Sequence, residues 1–418
     1  MIQTQKPLDL TIIGAGMIVN DLLLPSALHL QRLGAVGEIT VCDMRVGALR
    51  ALKESKDLAE AFPGQSFKTC PDLSEGDSSD PAVYRRVLEK KAPFGIVVVA
   101  LPDQLHYRVV KDVLQYNQHI LCVKPLVLKY EQAIELEEEA FRRGCFVGVE
   151  YHKRFDRRAL LARKHYRAGD LGDFALGESK LIEPYYYRHS NFQNWFTCEN
   201  TDPFVYVGCH YVDLVCFITG LKPAAVSVSG RKGIFPNGKE GYMWTNGRVI
   251  FDNGGILSVN NGLGYPDDSA GGNDQGLVMY FEGNNCAGLL AHDDHNRGVE
   301  YGFSANQAKR FQYINPDFYR VVPWEGAGLK PIGYGFESVA ATITTASRIE
   351  AQVDADGGNA LAIRQQAIRD ADEKGLIATP RNSSYNELVQ EAARLSILNG
   401  GDVALIDCSG AKPVIKLK

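Results

Sequence analysis

Several features that would fix a class of function are missing from this 418-residue sequence. Its nine cysteines are scattered singly and none forms a C-x-x-C pair, which favours reduced core residues over a zinc site or a disulfide framework. No stretch approaches the roughly 20 apolar residues of a membrane span. The N-terminus MIQTQKPLDLTIIG also lacks the apolar core and cleavage site of a signal peptide. We therefore expect a cytoplasmic protein.

A strong charge of one sign is missing as well. The sequence has 45 lysines and arginines against 50 aspartates and glutamates, and it contains no long basic run. A mildly acidic chain of this kind has no electrostatic footprint for nucleic acid or for an anionic membrane, so we expect neither partner. The length allows two domains with separate cores.

The first part of the sequence alternates regularly between strand and helix patterns. Runs such as LDLTII, EITVC, FGIVVV and HILCV are continuously apolar, and helix-like stretches lie between them. Continuous apolar strands are typical of a parallel sheet that is covered by helices on both faces. The sequence thus predicts a doubly wound α/β Rossmann domain over residues 1–150.

The ends of the predicted strands carry residues suited to a dinucleotide. In GAGMIV, Gly14 would make a tight turn and Gly16 would let the backbone approach a pyrophosphate, although Val19 occupies the third glycine position. Asp43 ends the second strand and can bind both ribose hydroxyls, so NAD is favoured over NADP, which Arg45 keeps open. The predicted cofactor contacts from these strand ends are Gly14, Gly16, Met17, Ile18, Asp43, Leu101 and Pro102.

The pattern changes after Tyr151. A basic helical stretch is followed by segments of alternating polarity with turn residues between them, including AAVSVSGRK, GRVIFDN, GILSVNNG and GLVMYFEG. Alternation of this kind predicts a predominantly antiparallel sheet. We therefore assign residues 151–418 to a second, α+β domain.

Seven motifs in register link the two parts. TIIGAG, VVVALPDQLHYRVV, CVKPLVL, VEYHKRF, GDLGDF, GCHYVDLVCFITG and EAARLSILNGGDV follow one another as in the Gfo/Idh/MocA oxidoreductases, which the chain resembles over most of its length. The resemblance implies NAD(P)-linked chemistry on a sugar, a polyol or a related hydroxy compound. It also implies a large open C-terminal sheet used for oligomer contacts, and hence a homo-oligomer, a dimer or a tetramer.

The resemblance places two proton-handling groups in the active site. Lys124 matches the lysine of the family's E-K-P motif, near the nicotinamide and the reacting hydroxyl, where an ammonium can donate a hydrogen bond or help relay a proton. His210 matches the family's active-site histidine, and an imidazole suits removal of a proton from a carbinol. Asp213, one turn further on, would orient His210 or cap local backbone. His106 matches a position that lines the cofactor pocket, with simple packing as the alternative.

Tyr206 departs from the family pattern, because many family dehydrogenases have an aspartate four residues before the histidine. Tyrosine can pass a proton or bind a hydroxyl, but it supplies no carboxylate. Together with the tyrosines of EPYYYRH it resembles the sites of redox-neutral, NAD-dependent glycosidases, which oxidise a sugar hydroxyl transiently, eliminate the aglycone, add water and return the hydride. Core aromatic packing explains these tyrosines equally well. We favour the dehydrogenase and keep the glycosidase as the alternative.

The remaining predictions concern the substrate and a metal. The segment YHKRF with the basic residues that follow it favours an anionic sugar, or else forms a solvated basic helix face. AHDDHN (residues 291–296) looks like a metal cluster, but it lies in a polar turn and the resembling family needs no metal, so we expect none. The predicted substrate contacts are Tyr151, Arg154, Asp213 and Tyr186.

Overall fold

The computed structural model describes residues 6–269, 272–283, 286–293, 318–410 and 412–418. The chain divides into two compact units. Among the described residues, 6–127, 131–155 and 318–382 form the first unit, and the rest form the second. This division differs from the predicted boundaries of 1–150 and 151–418, because apolar side chains from 339–346 join the hydrophobic core of the first unit.

The first unit is built on a six-stranded sheet. Its strands are β1 (Leu8–Ile13), β2 (Val36–Cys42), β3 (Lys68–Cys70), β4 (Ile96–Val99), β5 (His119–Val123) and β6 (Val147–Glu150). All neighbouring strands are parallel, in the order β3-β2-β1-β4-β5-β6. This order confirms the predicted doubly wound Rossmann sheet, in which the strand order reverses between β1 and β4 and ligands bind beyond the carboxyl ends of the strands.

Helices connect these strands. A π-helical turn, Val19–Leu23, opens the first of them. The α-helices are α1 (Leu24–Arg32), α2 (Val46–Lys53), α3 (Lys56–Ala61), α4 (Arg85–Leu88), α5 (His106–Gln115) and α6 (Tyr130–Arg143). A 3-10 turn, His152–Phe155, follows β6.

Residues 156–293 belong to the second unit. Their elements are α7 (Arg157–Arg167), β7 (Asp173–Pro184), α8 (Phe192–Trp195), α9 (Cys209–Thr219), β8 (Pro223–Ile234), β9 (Glu240–Phe251), β10 (Ile256–Tyr265), β11 (Asp274–Gly283) and β12 (Cys286–Asp293). A 3-10 turn, Tyr185–His189, follows β7, and a π-helical turn, Phe204–Gly208, leads directly into α9.

The C-terminal residues return to both units. Their elements are β13 (Arg320–Pro323), β14 (Leu329–Ile332), α10 (Tyr334–Asp356), α11 (Ala360–Lys374), α12 (Pro380–Ser383), α13 (Tyr385–Leu398), β15 (Ala404–Asp407) and β16 (Val414–Leu417). The second unit's sheet has eight strands in the order β12-β11-β7-β10-β9-β8-β15-β16. Only the β7–β10 pairing is parallel among its described pairings, which confirms a predominantly antiparallel sheet.

A buried ionic cluster holds α10 and α11 against the Rossmann sheet. The Arg364 guanidinium donates to both oxygens of Glu350, at 2.7 and 2.6 Å, and His119 Nε2 lies 3.0 Å from Glu350 Oε1. Because His119 Nδ1 accepts a hydrogen bond from the Phe146 backbone N–H, its Nε2 carries the proton that is donated to Glu350. Burial alone would raise the pKa of Glu350, but the hydrogen bonds from Arg364 and His119 outweigh it and lower the pKa to about 2.

We expect Glu350→Gln to lower the free energy of unfolding by about 3–5 kcal/mol, because it leaves the buried Arg364 charge without its counterion. Glu54→Gln is the matched control; it removes an exposed ion pair with Arg50 and should cost under about 1 kcal/mol. Urea unfolding at neutral pH measures the free energy of unfolding of both variants and of the wild type. Equal losses in the two variants would contradict the proposed importance of the buried cluster.

The same cluster predicts a pH dependence. The pKa of Glu350 is depressed in the folded protein, so its stabilising effect is complete above the ordinary carboxyl pKa of 4.5 and is lost as the pH falls toward 2. The stability difference between wild type and Glu350→Gln should therefore shrink over that interval.

Candidate active site

The glycine loop lies between the end of β1 and the first helical turn. Gly14 has a φ of 111°, and a Cβ atom at this position would overlap the carbonyl oxygen of Ala100, so only glycine fits. Its N–H donates to the carbonyl of Cys42 at 2.7 Å. At Gly16, by contrast, an added Cβ would meet no atom within 4 Å. The space above Gly16 is open, as close approach of a pyrophosphate requires.

Asp43, at the end of β2, is tied to the glycine loop. Its Oδ2 accepts from the Ala15 N–H and its Oδ1 from the Arg45 N–H, both at 2.9 Å. The Arg45 side chain adds a longer ion pair of 3.5 Å. The carboxylate therefore fixes the loop and also keeps a negative charge at the position predicted to face the ribose.

Two cavities in the first unit adjoin these residues. One of about 270 Å³ is lined by Gly14, Asp43 and Leu101 together with apolar side chains, and it has the size and lining for a flat base. The other, about 630 Å³, is lined by Gly16, Met17 and Arg45. The predicted cofactor residues that the structure brings to these cavities are thus Gly14, Gly16, Met17, Asp43 and Leu101.

Of the seven cofactor contacts predicted at the strand ends, two line neither cavity, and several lining residues were missed. Ile18 packs against the hydrophobic core, and Pro102 lines neither of the two cavities. The smaller cavity also takes in Pro81, Ala82, Val83, Tyr84 and Arg108, which the sequence analysis did not single out. Most of these precede α4, in a stretch without any motif.

His106 positions the loops after two strands. It is fully buried, and its Nδ1 and Nε2 lie 2.7 Å from the Pro125 carbonyl and 2.8 Å from the Leu101 carbonyl. Burial lowers the pKa of His106. The side chain has no exposed surface with which to line a cofactor pocket, so the packing alternative describes its position, between the ends of β4 and β5.

Lys124 follows the last residue of β5 and is half-buried. The neighbouring strand ends with Glu150, which pairs with Val123 and was not predicted as a site residue. Glu150 is buried and its carboxylate oxygens lie 3.0 and 3.1 Å from Nδ1 of His152. Lys124, Glu150 and His152 thus follow the ends of two adjacent strands, which is where doubly wound sheets bind ligands.

The first residues of the basic segment after β6 do not form the solvated helix face that was one of its two predictions. Lys153 and Arg154 are 3% and 1% exposed, so neither belongs to a solvated helix face. Arg154 donates to the side-chain oxygen of Asn382 at 2.9 Å, which connects the 3-10 turn to α12. Tyr151 is also buried. Substrate contacts from Tyr151 and Arg154 remain predictions, and for Arg154 the structure supplies a packing role as well.

In the second unit, α9 carries His210 and Asp213, and both are buried. Oδ1 of Asp213 accepts from the Tyr385 hydroxyl at 2.9 Å and from the Asn386 amide at 3.0 Å. Asp213 therefore connects α9 to α13, which sequence spacing could not reveal. Its predicted roles beside His210 and toward substrate stay predictions.

Tyr206 belongs to an aromatic cluster of the second unit. The Tyr206 ring lies 5.2 Å from Phe192 and 5.6 Å from Phe196, edge to face, and 5.5 Å from Trp195. Tyr186 is exposed, and its backbone N–H donates to Asp267 at 2.9 Å. Packing in this cluster accounts for Tyr206 and leaves its catalytic role a prediction.

Comparison with known proteins identifies the first unit's sheet. The model of the oxidoreductase family with an NAD-binding Rossmann fold, GFO_IDH_MocA, matches residues 8–151. Residues 8–151 therefore carry the NAD-binding domain of the Gfo/Idh/MocA oxidoreductases. The predicted family and the predicted NAD cofactor are confirmed, and the open Gly16 loop and Asp43 supply the fit for that cofactor.

A curated protein similar to this chain acts on a sugar derivative by name. D-glucoside 3-dehydrogenase of Escherichia coli is 23% identical over 231 residues, which is 54% of this chain and 58% of that protein. The chain thus spans little more than half the length of this curated relative.

Solved structures share the fold across nearly the whole chain. GenD2 from gentamicin A biosynthesis, in complex with NAD, has a TM-score of 0.63 and 17% identity, covering 99% of this chain and 97% of its own. Myo-inositol 2-dehydrogenase from Lactobacillus plantarum has a TM-score of 0.60 and 16% identity, covering 96% and 100%. At such identities these likenesses establish the fold.

Two further structural findings concern metal ligands and membrane-spanning helices. Within the described residues, no group of three or more His, Cys, Asp or Glu side chains is arranged to hold a metal. The AHDDHN segment lies outside the described residues from position 294 onward. In the described part of the chain, none of the helices is both long and apolar enough to cross a membrane.

Proposed function

We propose that the protein is an NAD-dependent dehydrogenase that oxidises a carbinol of a sugar, a polyol or a sugar derivative. The observation that carries this proposal is Lys124, placed just beyond a strand of a Rossmann sheet whose glycine loop and Asp43 fit NAD. Two similar proteins are named D-glucoside 3-dehydrogenase and myo-inositol 2-dehydrogenase. These names support a substrate in which the hydroxyl that is oxidised is a secondary hydroxyl on a ring.

NAD, when bound, supplies the acceptor for the hydride of the carbinol carbon. Lys124 holds the substrate hydroxyl through its ammonium and helps move the proton. His210 accepts the proton that the hydroxyl loses. Gly16 gives room for the pyrophosphate, and Asp43 binds the ribose hydroxyls.

The direct test of the proposed reaction is an assay with NAD and a panel of free hexoses, inositols, uronates and aryl glycosides. Cofactor absorbance and aglycone release are followed together. We expect NADH to accumulate with at least one compound and the amount of oxidised product to equal the NADH formed. A panel that yields aglycone without net NADH would contradict the dehydrogenase.

That last outcome defines the second candidate, a redox-neutral NAD-dependent glycosidase. Anionic glycosides are among the substrates that this candidate would cleave. Tyr206 in place of the family's aspartate is the observation that favours it. Its aromatic packing with Phe192 and Trp195 supports a structural explanation equally, so we rank this candidate second.

We expect Asp43→Ala to weaken NAD binding about 10-fold or more and to narrow the preference for NAD over NADP, because it removes a ribose ligand and a negative charge. Asp43→Asn is the matched control. It keeps an oxygen for the Ala15 N–H but loses the charge and the acceptor for the Arg45 N–H, so it should narrow the preference for NAD over NADP with less loss of NAD affinity than Asp43→Ala. Calorimetry with both cofactors measures this, and unchanged affinities in both variants would refute the ribose assignment.

We also propose that the protein self-associates through the open face of the eight-stranded sheet. α13 packs on one face, where the backbone N–H of Val228 donates to the hydroxyl of Ser396. On the opposite face Leu176 and Tyr280 are neighbours in register and are 50% and 51% exposed, with Ile256 beside them. Exposed apolar side chains in contact with each other are typical of an interaction surface.

Leu176→Glu is expected to convert an oligomer into a smaller species in sizing with light scattering, because it buries a charge in the proposed interface. Leu361→Glu, at an exposed position on α11, is the control and should leave the mass unchanged. A wild type that is monomeric at assay concentration would contradict the self-association.

A further inference from the structure

Two cysteines lie side by side at the base of the cofactor site. Cys42 ends β2, Cys70 ends β3, and the two residues are directly opposite each other in the parallel pairing. Neighbouring strands are about 4.8 Å apart, which falls within the Cα separation that a disulfide spans. Neither thiol is in a disulfide, and the Cys70 thiol donates to the carbonyl oxygen of Val83 at 3.7 Å.

The two thiols differ in chemical character. Cys42 is buried, and its hydrogen bond to Cys70 together with burial raises its pKa. Cys70 is partly exposed, and the hydrogen bond from Cys42, helped by Arg86 and Lys90, outweighs burial and lowers its pKa to about 7. Cys70 is therefore suited to attack, and Cys42 to resolve, as in dithiol redox sites.

Both cysteines also hold the residues that fit NAD. The carbonyl of Cys42 accepts the Gly14 N–H at 2.7 Å, and the carbonyl of Cys70 accepts the Asp43 N–H at 3.2 Å. Cys42 lines the smaller cavity together with Asp43. A disulfide brings two sulfurs from non-bonded contact to about 2.05 Å, so it would pull the two strand ends toward each other and with them the glycine loop and the ribose carboxylate.

We propose that Cys42 and Cys70 form a thiol–disulfide exchange site whose oxidation by a small disulfide weakens NAD binding. This inference rests on the cofactor site of the proposed function but not on its substrate. It assigns a chemical role to two residues that the dehydrogenase mechanism does not use.

Oxidation of the pair takes two exchange steps that conserve atoms and electrons. The Cys70 thiolate attacks one sulfur of the small disulfide and expels one thiolate. Cys42 then gives its proton to that thiolate and attacks the Cys70 sulfur of the mixed disulfide, expelling the second thiolate, which takes from solvent the proton that Cys70 had released. The two cysteines lose two electrons, and the small disulfide gains them as two thiols.

The test uses the full chain, with oxidised and reduced glutathione as the probe. After equilibration, mass spectrometry of peptides identifies a 42–70 crosslink, and calorimetry measures NAD affinity before and after re-reduction. We expect the crosslink to form and NAD affinity to fall about 10-fold or more, with full recovery in reductant. By linkage, saturating NAD should shift the glutathione equilibrium toward the dithiol by the same factor.

Two cysteine variants separate the effect of the Cys42–Cys70 pair from that of other cysteines. Cys70→Ser should bind NAD in oxidised glutathione as it does in reductant, whereas Cys145→Ser, which alters another buried cysteine of the first unit, should keep the wild-type response. A wild type that retains both thiols in excess oxidised glutathione would overturn the proposal, and so would a crosslinked protein with unchanged NAD affinity. NAD binding by the reduced wild type reports on the proposed function separately.

Discussion

Replacement of Lys124 by methionine is expected to lower kcat by about 10²–10⁴-fold while NAD affinity stays near wild type. Methionine keeps the length of the side chain and removes the ammonium, so the substrate hydroxyl loses a hydrogen-bond donor and a proton carrier. The cofactor should still bind, because the glycine loop and Asp43, which fit it, are unchanged.

Two controls make the Lys124 prediction specific. Lys124→Arg retains the charge with a different shape and should recover part of the activity. Lys129→Met removes an exposed lysine that pairs with Glu391 at 3.0 Å, and it should leave kcat unchanged. Steady-state kinetics and NAD titration measure these values. A Lys124→Met enzyme with wild-type kcat would remove Lys124 from the mechanism.

Replacement of His210 by asparagine is expected to lower kcat by about 10²–10⁴-fold, again with little change in NAD affinity. In the proposed mechanism the imidazole accepts the proton of the carbinol, and an amide could not replace it in that role. Because His210 is buried on α9, thermal unfolding must accompany the kinetics to show that the variant is folded.

His165→Gln is the matched control for His210, since it alters a half-exposed histidine that pairs with Asp170 on the surface. It should leave kcat and KM unchanged. A folded His210→Asn enzyme that turns over as fast as wild type would show that His210 has only a packing role.

The fold was predictable where the signal is local. Continuous apolar runs such as that of β4 gave the parallel sheet, and alternating segments gave the antiparallel one. The return of residues 318–382 to the first unit was not predictable, because it depends on long-range packing by α10 and on the buried contact of Glu350 with His119 of β5. Periodicity along a helix does not tell which distant sheet it covers.

The residues of the candidate site likewise divide into those that local sequence motifs predict and those whose positions depend on distant contacts. Gly14, Gly16 and Asp43 follow from motifs confined to a strand and its turn, and the structure brings them together. The positions of His106 and Arg154 depend on carbonyls and side chains elsewhere in the unit, such as that of Asn382.

The Cys42–Cys70 pair shows the same limit for strand register. The two residues are distant in sequence and become neighbours only through the pairing of β2 with β3. No spacing rule along the chain places them together, which is why scattered cysteines were expected to be ordinary core residues.

The central claim is that the Lys124 ammonium lies beside the bound nicotinamide, within reach of a substrate hydroxyl. A crystal structure of the NAD complex measures this directly. We predict that Lys124 Nζ faces the nicotinamide side of the cofactor and can place a hydroxyl at hydrogen-bond distance, about 2.6–3.2 Å. An ammonium that points away from the ring into bulk solvent would contradict the account.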